Sequence, residues 1–184
     1  MKVVLTGAKG VIGTVIRREV PGVKFIEMDL PEIDLRKYRP GGGTLEGWFY
    51  GADAVIHLAW NTEVHNWESP WVDYDDLVVV RRVKVYVETL GRMFASRGLE
   101  VICIRFGAVR ADNRVPDIAG GEVRFLSHRD LGTLITKVLA ARGEPGHFTI
   151  VNAVSLNTVR VHDVSNPFGW MPQDDSENFA RGGK

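Results

Sequence analysis

Lys2-Val3-Val4-Leu5-Thr6-Gly7-Ala8-Lys9-Gly10-Val11-Ile12-Gly13 opens the chain, and its reading decides the fold. A short apolar strand breaks into Gly7-x-x-Gly10-x-x-Gly13 and continues as a helix over about 12–20. Gly7 permits a tight turn, Gly10 lets the backbone approach a pyrophosphate, and Gly13 lets helix and strand pack closely. The unpaired amides at the helix start, those of Val11 and Ile12, then face an anion. Asp29 follows Gly7 after about 22 residues, at the end of the apolar run Val23-Lys24-Phe25-Ile26-Glu27-Met28. A carboxylate at that spacing is placed to accept hydrogen bonds from adenosine ribose hydroxyls.

The composition surrounds this motif with an ordinary globular protein. The chain has 184 residues, 45% hydrophobic and 25% charged, enough for one sizeable core. Its 23 basic and 23 acidic residues cancel, which argues against a nucleic-acid or membrane surface and favours self-association. The single cysteine, Cys103, lies in the apolar run Val101-Ile102-Cys103-Ile104 and reads as a small hydrophobe. No metal site is expected. No run is long enough to span a membrane, and the N-terminus enters the first strand directly, so a cytoplasmic protein without a signal peptide is expected.

Strand and helix signals alternate. Strands are expected at about 2–6, 23–28, 53–59, 100–105 and 147–152, the last four as near-continuous apolar runs buried on both faces. Helices are expected at about 12–20, 83–97 and 129–142, the second with an apolar stripe of Val83, Tyr86, Val87, Leu90, Met93 and Phe94. Gly98 and Gly143 close the later two. The alternation predicts an α/β fold, a shortened doubly wound parallel sheet of Rossmann-like type in one domain over 1–172. Pro40-Gly41-Gly42-Gly43 reads as a flexible break, Asn61 to Asp76 as a polar loop, and 173–184 as a frayed, flexible tail.

With Asp53-Ala54-Val55-Ile56-His57-Leu58-Ala59-Trp60 and Val101 to Gly107 added to the glycine loop, the chain resembles an extended short-chain dehydrogenase/reductase of the NAD-dependent epimerase/dehydratase group. Phe125 to Leu131 and Phe168 to Asp175 resemble, more narrowly, its uronate dehydrogenase branch. The resemblance implies an NAD-dependent oxidoreductase acting on a sugar or uronic acid. It implies that Gly7, Gly10, Val11, Ile12 and Gly13 cradle the pyrophosphate and that Asp29 binds the adenine ribose. A 2′-phosphate would meet that carboxylate, so NAD is expected over NADP, although Arg17 and Arg18 keep NADP open. Asp34 and Leu35 would flank the adenine, and Leu58, Ala59 and Trp60 would line the ribose and nicotinamide. His57 reads as a residue shaping that wall rather than a catalytic one. Arg114 would clamp a sugar carboxylate through its planar guanidinium.

Ser127, His128 and Asp130 invite a catalytic-triad reading, but three residues this close at a helix start cannot form the relay. Ser127 or His128 is better read as a helix cap. The family's own chemistry uses a Tyr-x-x-x-Lys pair with a serine on the preceding strand. Val83-Lys84-Val85-Tyr86-Val87-Glu88 makes Lys84 the family lysine, yet Val80 stands where the tyrosine belongs, and the serine has no match. Tyr86 falls on another face of the helix, which leaves Tyr74 as the substitute within reach. From Trp60 to Lys84 there are about 24 residues, too few for the helix, central strand and serine loop of the family, so an internal deletion is expected. Leu77-Val78-Val79-Val80 would serve as a makeshift strand, and the uncovered sheet face predicts a homodimer or instability. Two readings therefore stand side by side: an oxidoreductase using Lys84 and Tyr74, and a dinucleotide-binding protein without catalysis.

Overall fold

The computed structural model describes residues 1–35, 45–59, 88–141 and 147–182. Their contacts sort into two compact units, one within 1–60, 106–141 and 153–184, the other within 61–105 and 142–152.

In the first unit β1 (Lys2–Thr6), β2 (Lys24–Met28) and β3 (Ala54–His57) form a parallel sheet in the order β2-β1-β3. Val4 sits between Ile26 and Val55 in this register. Side chains alternate along β1, so Val4 joins Met28 and Ile33 in a cluster flanked by Ile26, Leu35, Phe49 and Ala52, while Val3 and Leu5 turn to the opposite face. The element after β1, helix α1 (Val11–Glu19), buries Gly13, Val15 and Ile16. Helix α2 (Leu45–Phe49) precedes β3 and contributes Phe49 to the cluster.

Only β1 is buried along nearly its whole length among the described strands. The strands expected to be enclosed on both faces are partly exposed instead, down to half of Val55. The reason is position: β2 and β3 flank β1 in the three-stranded sheet, and a strand is sealed only where neighbours meet it on every side.

The second unit holds most of β4 (Val101–Phe106) and β5 (Phe148–Ala153), with helix α3 over 88–95. The Val101 N–H donates to the His147 carbonyl at 2.9 Å and the Gly107 N–H to the Ala153 carbonyl at 2.7 Å. The bonds advance together along both segments, which is parallel pairing. The stripe expected on the middle helix is corrected: Met93 and Phe94 are about half exposed, while Gly91 and Ala95, four residues apart, are buried. A Cβ on Gly91 would come within 2.9 Å of Phe148 and 3.0 Å of Val101, so the helix packs through its smallest residues rather than its largest. Arg92 covers the Phe148 ring at 4.3 Å, and Glu88 binds Arg105 through two bonds of 2.8 and 3.0 Å. Cys103 is half-buried beneath Gly91, and desolvation pushes its thiol pKa up.

Back in the first unit, α4 (Gly121–Arg124) leads to α5 (His128–Ala140), which packs on α1. Leu131, Leu134 and Ile135 form its buried face, each contributing roughly 1.5–3 kcal/mol by leaving water. A Cβ on Gly132 would lie 2.4 Å from that of Glu19, which shows how closely the two helices approach.

The frayed end expected from Gln173 is also corrected. The amides of Gln173 and Asp174 donate to the Asp130 carboxylate at 2.8 and 3.0 Å, and Ser176 and Asn157 are joined at 3.1 Å. The Phe179 ring packs at a tilt against Phe125, centroids 4.8 Å apart, and Arg181 pairs with Val115 in a parallel bridge. The polar character of the tail, read as a sign of disorder, supplies the groups that tie it down.

Candidate functional site

The sheet order reverses at β1, since the chain goes from β1 to β2 on one side and then to β3 on the other. In open α/β sheets the ligand crevice lies at such a point, outside the carboxyl ends of the strands. Here those ends are Thr6-Gly7 and His57-Leu58-Ala59, which the structure brings together.

Gly7 holds φ at +69°, a conformation that other residues rarely adopt, and its N–H donates to the Met28 carbonyl at 2.9 Å. A Cβ there would lie 2.8 Å from the backbone of Leu58 and Ala59, so the strand ends meet only because the side chain is missing. Gly13 plays the second packing role: its Cβ would fall 2.5 Å from the Gly7 carbonyl oxygen. Gly10 differs from both. Among the described residues only the Gly7 carbonyl oxygen, at 3.3 Å, lies within 4 Å of a Cβ built there, so the described chain leaves room for a ligand in front of it. Gly10 also caps α1, with no side-chain bond and no acid in the first helical turn. The positive end of the helix dipole, with the amides of Val11 and Ile12, is thus left for an external anion.

Asp29 follows β2 and closes the loop from its side. One carboxylate oxygen accepts the Lys9 N–H at 2.6 Å and the other the Leu30 N–H at 2.7 Å. Each oxygen keeps a lone pair, the acceptor a ribose hydroxyl needs. The cradle, the uncapped helix start and this carboxylate fit the adenosine and pyrophosphate of a dinucleotide.

Thr6 is the residue the sequence reading passed over. Its hydroxyl accepts from the amides of Leu58 and Ala59 at 3.2 and 3.3 Å and lies 2.7 Å from His57 Nδ1. With both lone pairs taken, the hydroxyl donates to Nδ1, which leaves the proton of a neutral His57 on Nε2. Partial desolvation pushes the His57 pKa below its usual value, in keeping with that neutral ring. His57 is therefore tied to the end of β1 through Thr6. A threonine just before the turn glycine was the available signal.

The other predicted residues are placed unevenly. Leu35 packs against the Val4 cluster and Asp34 precedes it. Arg17 is held by both oxygens of Glu27 at 3.0 Å, and Arg18 reaches Glu19 and His128. Arg114 is exposed on a turn shaped by Asn113, whose φ is 55°, and its amide donates to Asp112. The Arg110 guanidinium beside Asp112 lowers that carboxyl to about 2. Trp60, Tyr74, Val80, Lys84 and Tyr86 lie outside the described residues, as does Pro40-Gly41-Gly42-Gly43.

Ser127, His128 and Asp130 form a structural knot. Ser127 Oγ accepts the Asp130 N–H at 3.1 Å, capping α5, and donates to Asp174 at 2.5 Å. His128 turns to Arg18 at 2.5 Å and to the Arg110 carbonyl at 2.7 Å, away from any relay.

No family model and no curated protein matches the chain. Solved structures do match. The shared fold is a Rossmann-like α/β architecture of parallel strands and helices, the class the strand order and glycine loop define. In particular, uronate dehydrogenase from Agrobacterium tumefaciens gives a TM-score of 0.69 at 18% identity, covering 96% of this chain and 85% of that one. A mutant of that enzyme complexed with NAD gives 0.69 at 19%, covering 96% and 86%. A glucuronic acid dehydrogenase from Chromohalobacter salexigens gives 0.50 at 16%, covering 96% and 85%. At these identities the likeness is one of fold.

Proposed function

We propose that the chain binds a nicotinamide dinucleotide, NAD in preference to NADP, and serves as an oxidoreductase of the extended short-chain dehydrogenase type on a sugar or uronic acid. The observation that carries this reading is the bond from the Lys9 amide to Asp29 at 2.6 Å, which sets a ribose-binding carboxylate at the edge of an open glycine loop. The fold neighbours that are uronate dehydrogenases, one complexed with NAD, support it.

In this reading Gly7 and Gly13 hold the loop against β3 and α1, and Gly10, Val11 and Ile12 present amides to the pyrophosphate. Asp29 takes the ribose hydroxyls, Asp34 and Leu35 flank the adenine, and Leu58, Ala59 and Trp60 line the remainder. The cofactor, when bound, supplies the hydride acceptor. Lys84 holds the nicotinamide ribose, Tyr74 accepts the substrate hydroxyl proton, and Arg114 orients the sugar carboxylate. The partner is a small sugar acid rather than nucleic acid or membrane, the setting is cytoplasmic, and a homodimer would cover exposed apolar residues such as Val55. Among the described residues no helix is long and apolar enough to cross a membrane.

Val80 at the tyrosine position favours a second reading, a dinucleotide-binding protein without turnover. A calorimetric titration with NAD and NADP, followed by galacturonate in the same cell, separates the two. NAD heat with a further heat from the sugar acid, and NADH production that falls at least tenfold in Tyr74→Phe, supports the oxidoreductase. NAD heat alone supports the second reading. No heat from either nucleotide sinks both.

A further inference from the structure

The turn that carries Arg114 is pinned from two sides. Toward α5, Asn113 Oδ1 accepts the His128 N–H at 2.9 Å, and the Arg110 carbonyl accepts from His128 Nε2 at 2.7 Å. Toward the tail, the Val115 N–H donates to the Ala180 carbonyl at 3.0 Å, and the Gly182 N–H donates to the Val115 carbonyl at 2.8 Å. Asp112 closes the turn between these anchors. Its Oδ1 accepts the Arg114 N–H at 3.2 Å, and the Arg110 guanidinium binds both carboxylate oxygens at 3.0 and 3.1 Å. Gly182 lies against that guanidinium, where a Cβ would come within 2.8 Å of Cζ. Tail, ion pair and turn are thus one connected piece.

The Arg114 side chain stands outside this network. Between 110 and 129 the other arginines are engaged: Arg110 with Asp112, Arg124 with the Ala119 and Gly120 carbonyls, Arg129 with Asp174. Arg114 is exposed, and its guanidinium has no partner among the described residues. A fixed backbone beneath a free guanidinium suits a carboxylate clamp, because the ordering is completed on folding and not on binding.

We propose that Asp112 and the tail residues Ala180 and Gly182 are positioning residues that hold Arg114 for the carboxylate of a sugar acid. The inference rests on the sugar-acid reading given above and goes past it by naming what aims the clamp. Val115 is the link. It follows Arg114 directly and is 2% exposed, so its bonds to the tail are shielded from water, and turning the Arg114 backbone means breaking them. Arg110 is no substitute clamp, since its Nε and one terminal nitrogen are committed to Asp112.

The test is a calorimetric titration of the NAD-loaded full chain with galacturonate, in the parent, Asp112→Ala, Gly182→Pro and Arg114→Met, and with each of the first two variants combined with Arg114→Met. Gly182→Pro removes the donor to the Val115 carbonyl. Expected is a galacturonate affinity about a hundredfold weaker in Arg114→Met and about tenfold weaker in each positioning variant, with NAD affinity unchanged. Added to Arg114→Met, neither positioning variant should weaken the sugar further, because both act through that side chain. A merely structural role would persist in that background, and a further loss there overturns the proposal. Parent-like galacturonate affinity in Asp112→Ala and Gly182→Pro, beside a weakened Arg114→Met, also overturns it and leaves the sugar-acid reading standing. Should Gly182→Pro lose NAD heat as well, Asp112→Ala on its exposed turn decides. If Arg114→Met binds galacturonate as the parent does, or the parent binds none, the reading of Arg114 fails and this inference with it.

Discussion

The starts of α1 and α5 are made from similar parts and put to opposite uses. At α5 a serine caps the helix, an aspartate stands in the first turn, and both are saturated by the chain itself. Ser127 takes the Asp130 amide, and the fully buried Asp130 carboxylate takes the amides of Gln173 and Asp174. At α1 a glycine caps the helix, no acid stands in the first turn, and the nearest carboxylate, Asp29, lies on the neighbouring strand end. A helix dipole satisfied from within holds a fold together, and one left unsatisfied beside open space is available to a ligand. The contrast also explains why the Ser127-His128-Asp130 run, the more eye-catching triplet, is taken up by the fold itself.

The sharpest way to break this comparison is Gly10→Val. Its side chain would enter the open space and touch little of the protein, so NAD binding should vanish while thermal unfolding stays close to that of the parent. Retained NAD heat would mean that the ligand lies elsewhere. The counterpart at the other helix is Asp130→Ala, which removes a buried carboxylate and the acceptor of two partly buried amides and should cost about 1–3 kcal/mol in urea unfolding. NAD affinity in the folded fraction should stay unchanged, and a parallel loss would show that the two ends are one site.

Asp29→Ala mixes the roles. It removes the proposed ribose acceptor and the tether of the Lys9 amide, and should weaken NAD binding by about 1–3 kcal/mol. An unmoved dissociation constant would take the carboxylate out of the site.

The smallest effect belongs to His57. Its folded-state pKa is lowered, so the unfolded chain takes up the proton first as pH falls. The stabilisation from a neutral His57 is whole above about pH 6.5 and is lost below it, down to the folded pKa. The stability measured by urea unfolding should therefore fall less steeply in His57→Gln as pH drops below about 6.5. An unaltered slope would mean that the fold does not lower the pKa of this ring.

The elements were legible because they are local. The apolar run before Gly7 could only be a strand ending in a turn, and the stripe of Leu131, Leu134 and Ile135 could only face a core. The burial of β2 to β5 was not legible, because apolar content says what a strand can bury and not what covers it. Helix α3 was misjudged for a related reason: Gly91 faces the strands because its missing side chain permits close approach, and Ala95 is buried, while Met93 and Phe94 are left half exposed. The tail was misread because its polar residues looked solvated until Asp130, 43 and 44 positions away, supplied their acceptor.

By itself the sequence determined the strand–turn–helix with its glycine spacing, the parallel α/β pattern and an acid at the correct distance, all consequences of backbone geometry within a few turns of chain. Only the tertiary structure decided that Lys9 meets Glu32, that Thr6 bridges two strands, and that Ser127 and Asp130 hold the tail. Those partners lie far apart along the chain, and which of them meet depends on how strands and helices stack, a matter of packing that no local pattern records.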